Sequence, residues 1–598
     1  MELANVSDRI KLLREEMRER GIDMYIVPTS DFHESEYVGD YFKTRSYLTG
    51  FTGSAGTAVV TQEEAGLWTD GRYFIQAQGE LSGSSITLYR MGEEGVPTVK
   101  EYVKENLREG GCLGFDGRVV NARDGETYEK IVKDKQGNLA VVEDLVGAIW
   151  EERPSFPKNP AFVLEEKYAG ESVQSKLGRV REKMKEEQAD IHILTSLYDI
   201  AWLFNVRGGD IAHVPVVMSF AVITLEMCIW FVHPEVLNDE VCRYCEENHI
   251  SISEYEAVYG YVESIPAEKR VLLNKSIVNY RICSGLKAEL VQAPNPSEWM
   301  KAVKNETELA NIRHAHIKDG VAFTKFMYWL KNHIGKETIT EISAADYLRE
   351  RRQEQDLFLD VSFDTISAYG ANAAMMHYAP TPETDAALRP EGFLLVDSGG
   401  HYLDGSTDIT RTMALGALSH EQKLYFTTVC RSNLNLAAAK FLYGCRGTNL
   451  DILARGPLWE LGLDYKCGTG HGIGYVLNVH EGPNAFRWKQ SSDPGGDCVL
   501  EGGMVTTDEP GVYLEGQYGI RTENELLCRN AEKNEYGQFM EFEIITYAPI
   551  DLDAILPEEM TERERGLLNE YHKIVYGKIS PFLNDGEREW LREYTREI

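Results

Sequence analysis

Phe393-Leu-Leu-Val-Asp397-Ser-Gly-Gly400 and the returning run Thr407-Asp408-Ile-Thr-Arg-Thr-Met-Ala-Leu415 decide the fold. Four consecutive apolar residues bounded by a glycine turn predict a buried strand that ends in a carboxylate. The second run reads as the strand that comes back beside it, and such a hairpin brings Asp397 and Asp408 together. Two like charges in a half-buried place raise each other's pKa unless a cation neutralises them, so the pair implies a metal or a shared proton. An aspartate at a turn also serves turn chemistry alone. The weight of the reading rests on what else the chain supplies.

Three features downstream add to it. Gly468-Thr-Gly-His471-Gly-Ile-Gly474 puts a histidine on a loop able to approach a ligand closely. It is not a dinucleotide fingerprint, because Ile473 stands where the third glycine belongs. Asp508-Glu509-Pro510-Gly511 holds a carboxylate beside a proline turn, and Arg521-Thr522-Glu523 places another on a following strand. Each alone is a turn or a solvated acid. Together they make an acid-rich set of strand ends.

Around these strands the sequence predicts long helices. Asn305 and Glu308 form a capping signal ahead of Leu309 and Ile312, Ser419 and Gln422 form another, and Thr561 with Glu564 opens the terminal helices. Residues 299–598 thus read as one mixed α/β domain. Before it the chain repeats itself. Leu13-Arg-Glu-Glu-Met17 and Val180-Arg-Glu-Lys-Met184 each precede an aspartate, Asp23 and Asp190, and then a β-rich run, at a common offset of 167 residues. YLTGFTG from Tyr47 and WLFNVRG from Trp202 agree in shape. This predicts a duplicated α/β domain, residues 1–160 and 161–298, with the proline-rich ERPSFPKNP between the copies and QAPNPSE closing the second.

Composition narrows the function classes. The 598 residues carry 62 Lys plus Arg against 95 Asp plus Glu, a formal net charge of −33, with 43% hydrophobic and 26% charged residues. That is a globular composition whose field repels phosphates, which speaks against nucleic acid or an anionic membrane and favours cationic ligands and divalent metals. The charged amino terminus lacks a secretory apolar core, and ten cysteines without a dense framework fit reduced thiols, so a cytoplasmic location is expected. Val214 to Val232 is apolar but contains Pro215, Ser219, Thr224 and Glu226 and reads as two buried strands. Cys242 and Cys245 lack a second pair and read as thiols on a polar helix. GFTGSAG near Gly53 lacks a GK[ST] ending and reads as a tight turn between strands.

The motifs DSGGHYLDGSTDITRT, GTGHGIG, NVHEGP, DEPGVY and GIRTEN, in this order, resemble aminopeptidase P, the Xaa-Pro aminopeptidases of the pita-bread metallopeptidases. SDFHESEY, GFTGSAGTAVVT, LWTDGRYFIQA, DIAWLFNVRG and the terminal EREWLREYTREI resemble the long, three-domain cytosolic form. The implied fold class is α/β, mixed α+β, with two creatinase-N-like domains before a pita-bread catalytic domain. The implied activity is hydrolysis of the bond between an amino-terminal residue and a penultimate proline.

By position, the resemblance makes Asp397, Asp408, His471, Glu509 and Glu523 ligands of two divalent ions, typically manganese, with Asp408 and Glu523 bridging. His377 in MMHYAP and His480 in NVHEGP match histidines that hold the substrate and steady the tetrahedral intermediate, and Arg521 and Tyr513 match supporting groups. Cys467 stands where many members have a further histidine and is expected to line the pocket without binding metal. Four carboxylates balance two divalent ions, and a mostly oxygen donor set favours manganese, with zinc, cobalt or iron as alternatives. Water bridging two such cations becomes the nucleophile near neutral pH, and Glu509 is the natural proton acceptor. The resemblance also implies a homodimer. A prolidase-like dipeptidase, or a non-catalytic peptide-binding pita-bread protein, is the alternative.

Overall fold

The structure, a computed structural model, describes residues 5–142, 144–489 and 497–598. They form two compact units, one comprising the chain to Leu164 and Ser172–Ser297, the other Glu165–Glu171 and Glu298–Ile598.

The first unit contains the repeat. In one six-stranded sheet the central strand Met24–Pro28 lies between Thr57–Thr61, antiparallel, and Cys112–Asp116, parallel. In the other, Ile191–Leu194 lies between Ser219–Thr224, antiparallel, and Arg270–Leu273, parallel. Helices Val6–Glu19 and Val173–Glu186, both 14 residues long, precede the central strands and bury Ile10, Leu13, Met17 and Leu177, Val180, Met184 at equivalent turns. The paired aspartates share a task. Asp23 Oδ2 accepts the Cys112 N–H at 2.7 Å and Asp190 Oδ2 accepts the Arg270 N–H at 2.9 Å, so each pins the parallel neighbour to the head of the central strand. The following helices end on left-handed residues, Gly50 at φ 75° and Asn205 at φ 52°, which explains the similar shape of the two motifs.

The apolar stretch after Val214 forms the antiparallel strands Ser219–Thr224 and Cys228–Val232. Among the described residues no helix is long and apolar enough to cross a membrane. Cys242 and Cys245 lie on helix Asp239–Glu247, and all ten cysteines are free thiols.

In the second unit, Phe393–Ser398 is the middle strand of a three-stranded sheet, flanked antiparallel by Ile366–Tyr369 and Ile409–Ala414. Its apolar run is continuous because both faces are covered. Leu394 and Val396 pack with Phe323, Phe326 and Leu330 of helix Glu306–His333, while Phe393 joins Phe426 and Val429 of helix His420–Ala437 and Leu395 packs with Ile366 and Tyr378. Each such side chain contributes about 1.5–3 kcal/mol on full burial. The helix starts are reciprocal capping boxes at Asn305 with Glu308, Ser419 with Gln422 and Thr561 with Glu564. A six-stranded sheet runs in the order Lys440–Leu442, Gly537–Ile544, Asn524–Asn534, Val505–Asp508, Gly470–Gly472, Glu481–Phe486.

Candidate metal centre

Strand register gathers the acids. In the three-stranded sheet Asp397 faces Thr410, and Asp408 comes immediately before that partner strand. The connection between them runs out through the short strands Gly400–Tyr402 and Gly405–Ser406, and its two arms approach closely only because residue 399 is glycine, since a Cβ there would lie 1.8 Å from the Thr407 carbonyl oxygen. In the six-stranded sheet Asp508 pairs with Asn524, so Glu509, just past one strand, and Glu523, just before the other, emerge side by side. His471 comes from the neighbouring strand, where Gly470 passes so close to Thr507 that a Cβ would meet its carbonyl at 1.8 Å.

Ligand-type atoms of Asp408, His471 and Glu523 all lie within 4.8 Å of one another. His471 Nε2 is 3.6 Å from Asp408 Oδ2 and 3.5 Å from Glu509 Oε1. Asp397 Oδ2 accepts from Arg521 Nη2 at 2.5 Å, while its Oδ1 is buried with no hydrogen-bond partner. Burial, reinforced by Glu523, Asp397 and Glu509, pushes Asp408 well above the usual carboxylate range. Burial, Glu509 and Asp397 do the same to Glu523. Glu509 is pushed up to about 7 by burial, with Arg521 and His480 opposing and Asp397 adding. Mutually repelling buried carboxylates beside an imidazole, one with an orphaned oxygen, are a donor set that divalent cations satisfy.

Arg521 Nη1 donates to the Tyr513 hydroxyl at 2.8 Å, so one guanidinium joins Asp397 to Tyr513. Burial alone would lower the Arg521 pKa, but Tyr513, Asp397 and Glu509 raise it well above normal. The His480 ring stands edge-on to His471, centroids 4.2 Å apart at 82°. His377 follows the short turn Gly370–Ala374, and the carbonyl of its neighbour Met376 accepts from Arg521 Nη2 at 3.4 Å. Cys467 is half-buried, its carbonyl accepts from Arg455 Nη2 at 2.6 Å, and its thiol is among the groups that, after burial, push the Tyr513 hydroxyl up.

Two further residues escaped the sequence reading. Thr410 Oγ1 donates to Glu523 Oε2 at 2.7 Å and accepts from Arg521 Nε at 3.1 Å, tying a carboxylate to the arginine. Glu525 is fully buried, accepts the Asp408 N–H at 2.8 Å, and lies 3.0 Å from His316 Nε2 in an ion-pair contact. The period-two spacing of Glu523 and Glu525 on one strand face was the available signal.

Carboxylates and a histidine gathered at the strand ends of this α/β unit form a candidate divalent-metal centre. The metallopeptidase family M24 model matches residues 310–530, with the C-terminal region of that peptidase family at 538–598. The creatinase/prolidase N-terminal domain is matched at 9–149 and, by a second model, at 152–308. A probable Xaa-Pro aminopeptidase P of Botryotinia fuckeliana is 39% identical over 100% of this chain and 93% of its own length. Aminopeptidase P1 of Arabidopsis thaliana is 36% identical over 96% of this chain and 97% of its own. The solved X-prolyl aminopeptidase of Caenorhabditis elegans, described as a cytosolic enzyme with a di-nuclear active site, superposes with a TM-score of 0.94 at 33% identity, covering 99% of this chain and 100% of that one. An Xaa-Pro dipeptidase from Bacillus anthracis, 22% identical with a TM-score of 0.51, covers only 64% of this chain and shares the fold alone. The chain belongs to the Xaa-Pro aminopeptidase P family.

Proposed function

We infer that this protein is a metal-dependent aminopeptidase that hydrolyses the bond between an amino-terminal residue and a penultimate proline. The observation that carries the reading is full-length similarity to aminopeptidases P together with the cluster of Asp408, His471 and Glu523. Its substrates are peptides with proline second, and it works with two divalent metal ions.

The finer assignments are proposals. Asp397, Asp408, His471, Glu509 and Glu523 hold the two ions, and the oxygen-rich donor set favours manganese over zinc, cobalt or iron. When bound, the ions supply Lewis acidity toward the scissile carbonyl and lower the pKa of water in the site. Glu509 takes the proton released by the attacking water and returns it to the leaving prolyl nitrogen. His480, beside His471, and His377 present N–H donors to the carbonyl oxygen as it becomes negative. Arg521 fixes the orientation of Asp397 and Tyr513. Cys467 lines the pocket without holding metal. The protein works as a homodimer in the cytoplasm, without nucleic-acid or membrane partners.

The test is hydrolysis of Arg-Pro-Pro against Arg-Pro by metal-loaded protein. Cleavage of the tripeptide after arginine is expected. Cleavage of the dipeptide alone would make the protein a prolidase, and cleavage of neither would leave a peptide-binding role.

A further inference from the structure

A buried lysine outside the metal centre connects the segments that follow His471 and His480. Lys304 follows helix Pro296–Ala302, and its side chain is 1% exposed. Its Nζ donates to the Ile473 carbonyl at 2.6 Å and to Glu481 Oε1 at 2.7 Å. Ile473 stands two residues past His471, and Glu481 immediately follows His480. One ammonium thus bridges the end of Gly470–Gly472 and the start of Glu481–Phe486, closing the base of the loop between the histidines. Glu481 is buried too, with Lys301 Nζ 3.5 Å from its other oxygen. The loop is held at other points: Asn478 Nδ2 donates to the His480 carbonyl at 2.8 Å, and Ser406 Oγ accepts the Val476 N–H at 3.0 Å.

We propose that Lys304 and Glu481 are positioning residues that fix the His480 ring against His471 for the transition state. A charged pair in a dry interior is poorly suited to adding stability alone, because desolvation offsets much of its attraction. It suits fixing geometry, because both ends of the contact are short and inaccessible to water. The ladder between the strands is irregular here, with a register shift between His471 and Gly472, and the lysine adds a side-chain cross-link next to the Gly472–Glu481 pair. Removing supporting groups of this kind typically costs about 10- to 100-fold in activity or metal affinity.

The proposal rests on the aminopeptidase reading, and its test separates the two. Lys304→Met and Glu481→Gln are compared with wild type for kcat and KM on Arg-Pro-Pro, metal content, and hydrogen exchange of peptides covering residues 472–486. Expected is a kcat lower by about 10- to 100-fold with KM within about threefold, two metals retained, and faster exchange confined to this loop. Glu481→Gln keeps the lysine on Ile473 and carries the test should Lys304→Met not fold. A kcat within twofold of wild type in both folded variants would overturn the proposal, as would exchange accelerated throughout the catalytic unit. Wild-type protein inert toward Arg-Pro-Pro would instead overturn the assigned activity, while the exchange result would still judge the cross-link.

Discussion

Glu509→Gln is expected to abolish turnover yet make the metal-free protein more stable, an outcome that a purely structural carboxylate would not give. Burial pushes Glu509 from 4.5 up to about 7, with Asp397 adding and Arg521 and His480 opposing. A carboxylate whose folded pKa is raised keeps its proton while the unfolded chain loses it, so the metal-free protein loses stability as pH rises from about 4.5 through about 7. At 1.36 kcal/mol per unit the full loss is about 3 kcal/mol above neutrality and about 1 kcal/mol near pH 5.5. Glutamine fills the same space without a charge and escapes that loss. Chemical unfolding of chelator-treated protein at pH 5.5 and pH 8 measures the difference. The variant should exceed wild type by about 3 kcal/mol at pH 8 and by about 1 kcal/mol at pH 5.5, and manganese should stabilise only wild type strongly. Equal stability at pH 8, or a gain of the same size at both pH values, would refute the electrostatic argument.

Other outcomes follow from the same geometry. Asp408→Asn should lose metal and nearly all turnover while keeping its fold, checked by elemental analysis and circular dichroism, since it sits among Glu523, His471 and Glu509. His480→Ala should bind two metals yet turn over about 10²- to 10³-fold more slowly with little change in unfolding temperature, and His377→Ala should do the same. Cys467→Ser should keep substantial activity, and iodoacetamide should inhibit wild type more than the variant; equal inhibition would place the sensitive thiol elsewhere.

Much of this was legible because the determinants are local. Asp397 closes an apolar strand ahead of a glycine pair, Glu509 stands beside Pro510, Glu523 comes just before a strand, and Asp23 and Asp190 repeat because each heads an equivalent strand. The capping boxes at Asn305, Ser419 and Thr561 were readable for the same reason, each lying within four consecutive residues. What escaped is held by long-range contacts. Thr410 is one polar residue in a strand until Arg521 and Glu523 meet it, and Glu525 gains its role from the Asp408 amide and His316. Lys304 looks like a surface charge in KAVKN, yet the fold buries it against Ile473 and Glu481. The short helix Glu166–Ala169 goes with the catalytic unit because Asn305 Nδ2 donates to the Ala169 carbonyl at 2.9 Å, a contact that no local pattern announces.

The most direct test of the central claim is a metal titration of chelator-treated protein, with Arg-Pro-Pro hydrolysis measured against metal bound per chain. The account predicts no turnover without metal and a maximum at two divalent ions per chain, with Asp408→Asn and Glu523→Gln failing to reach it. Full hydrolysis by protein shown to be metal-free, or a maximum unaffected by both substitutions, would contradict it.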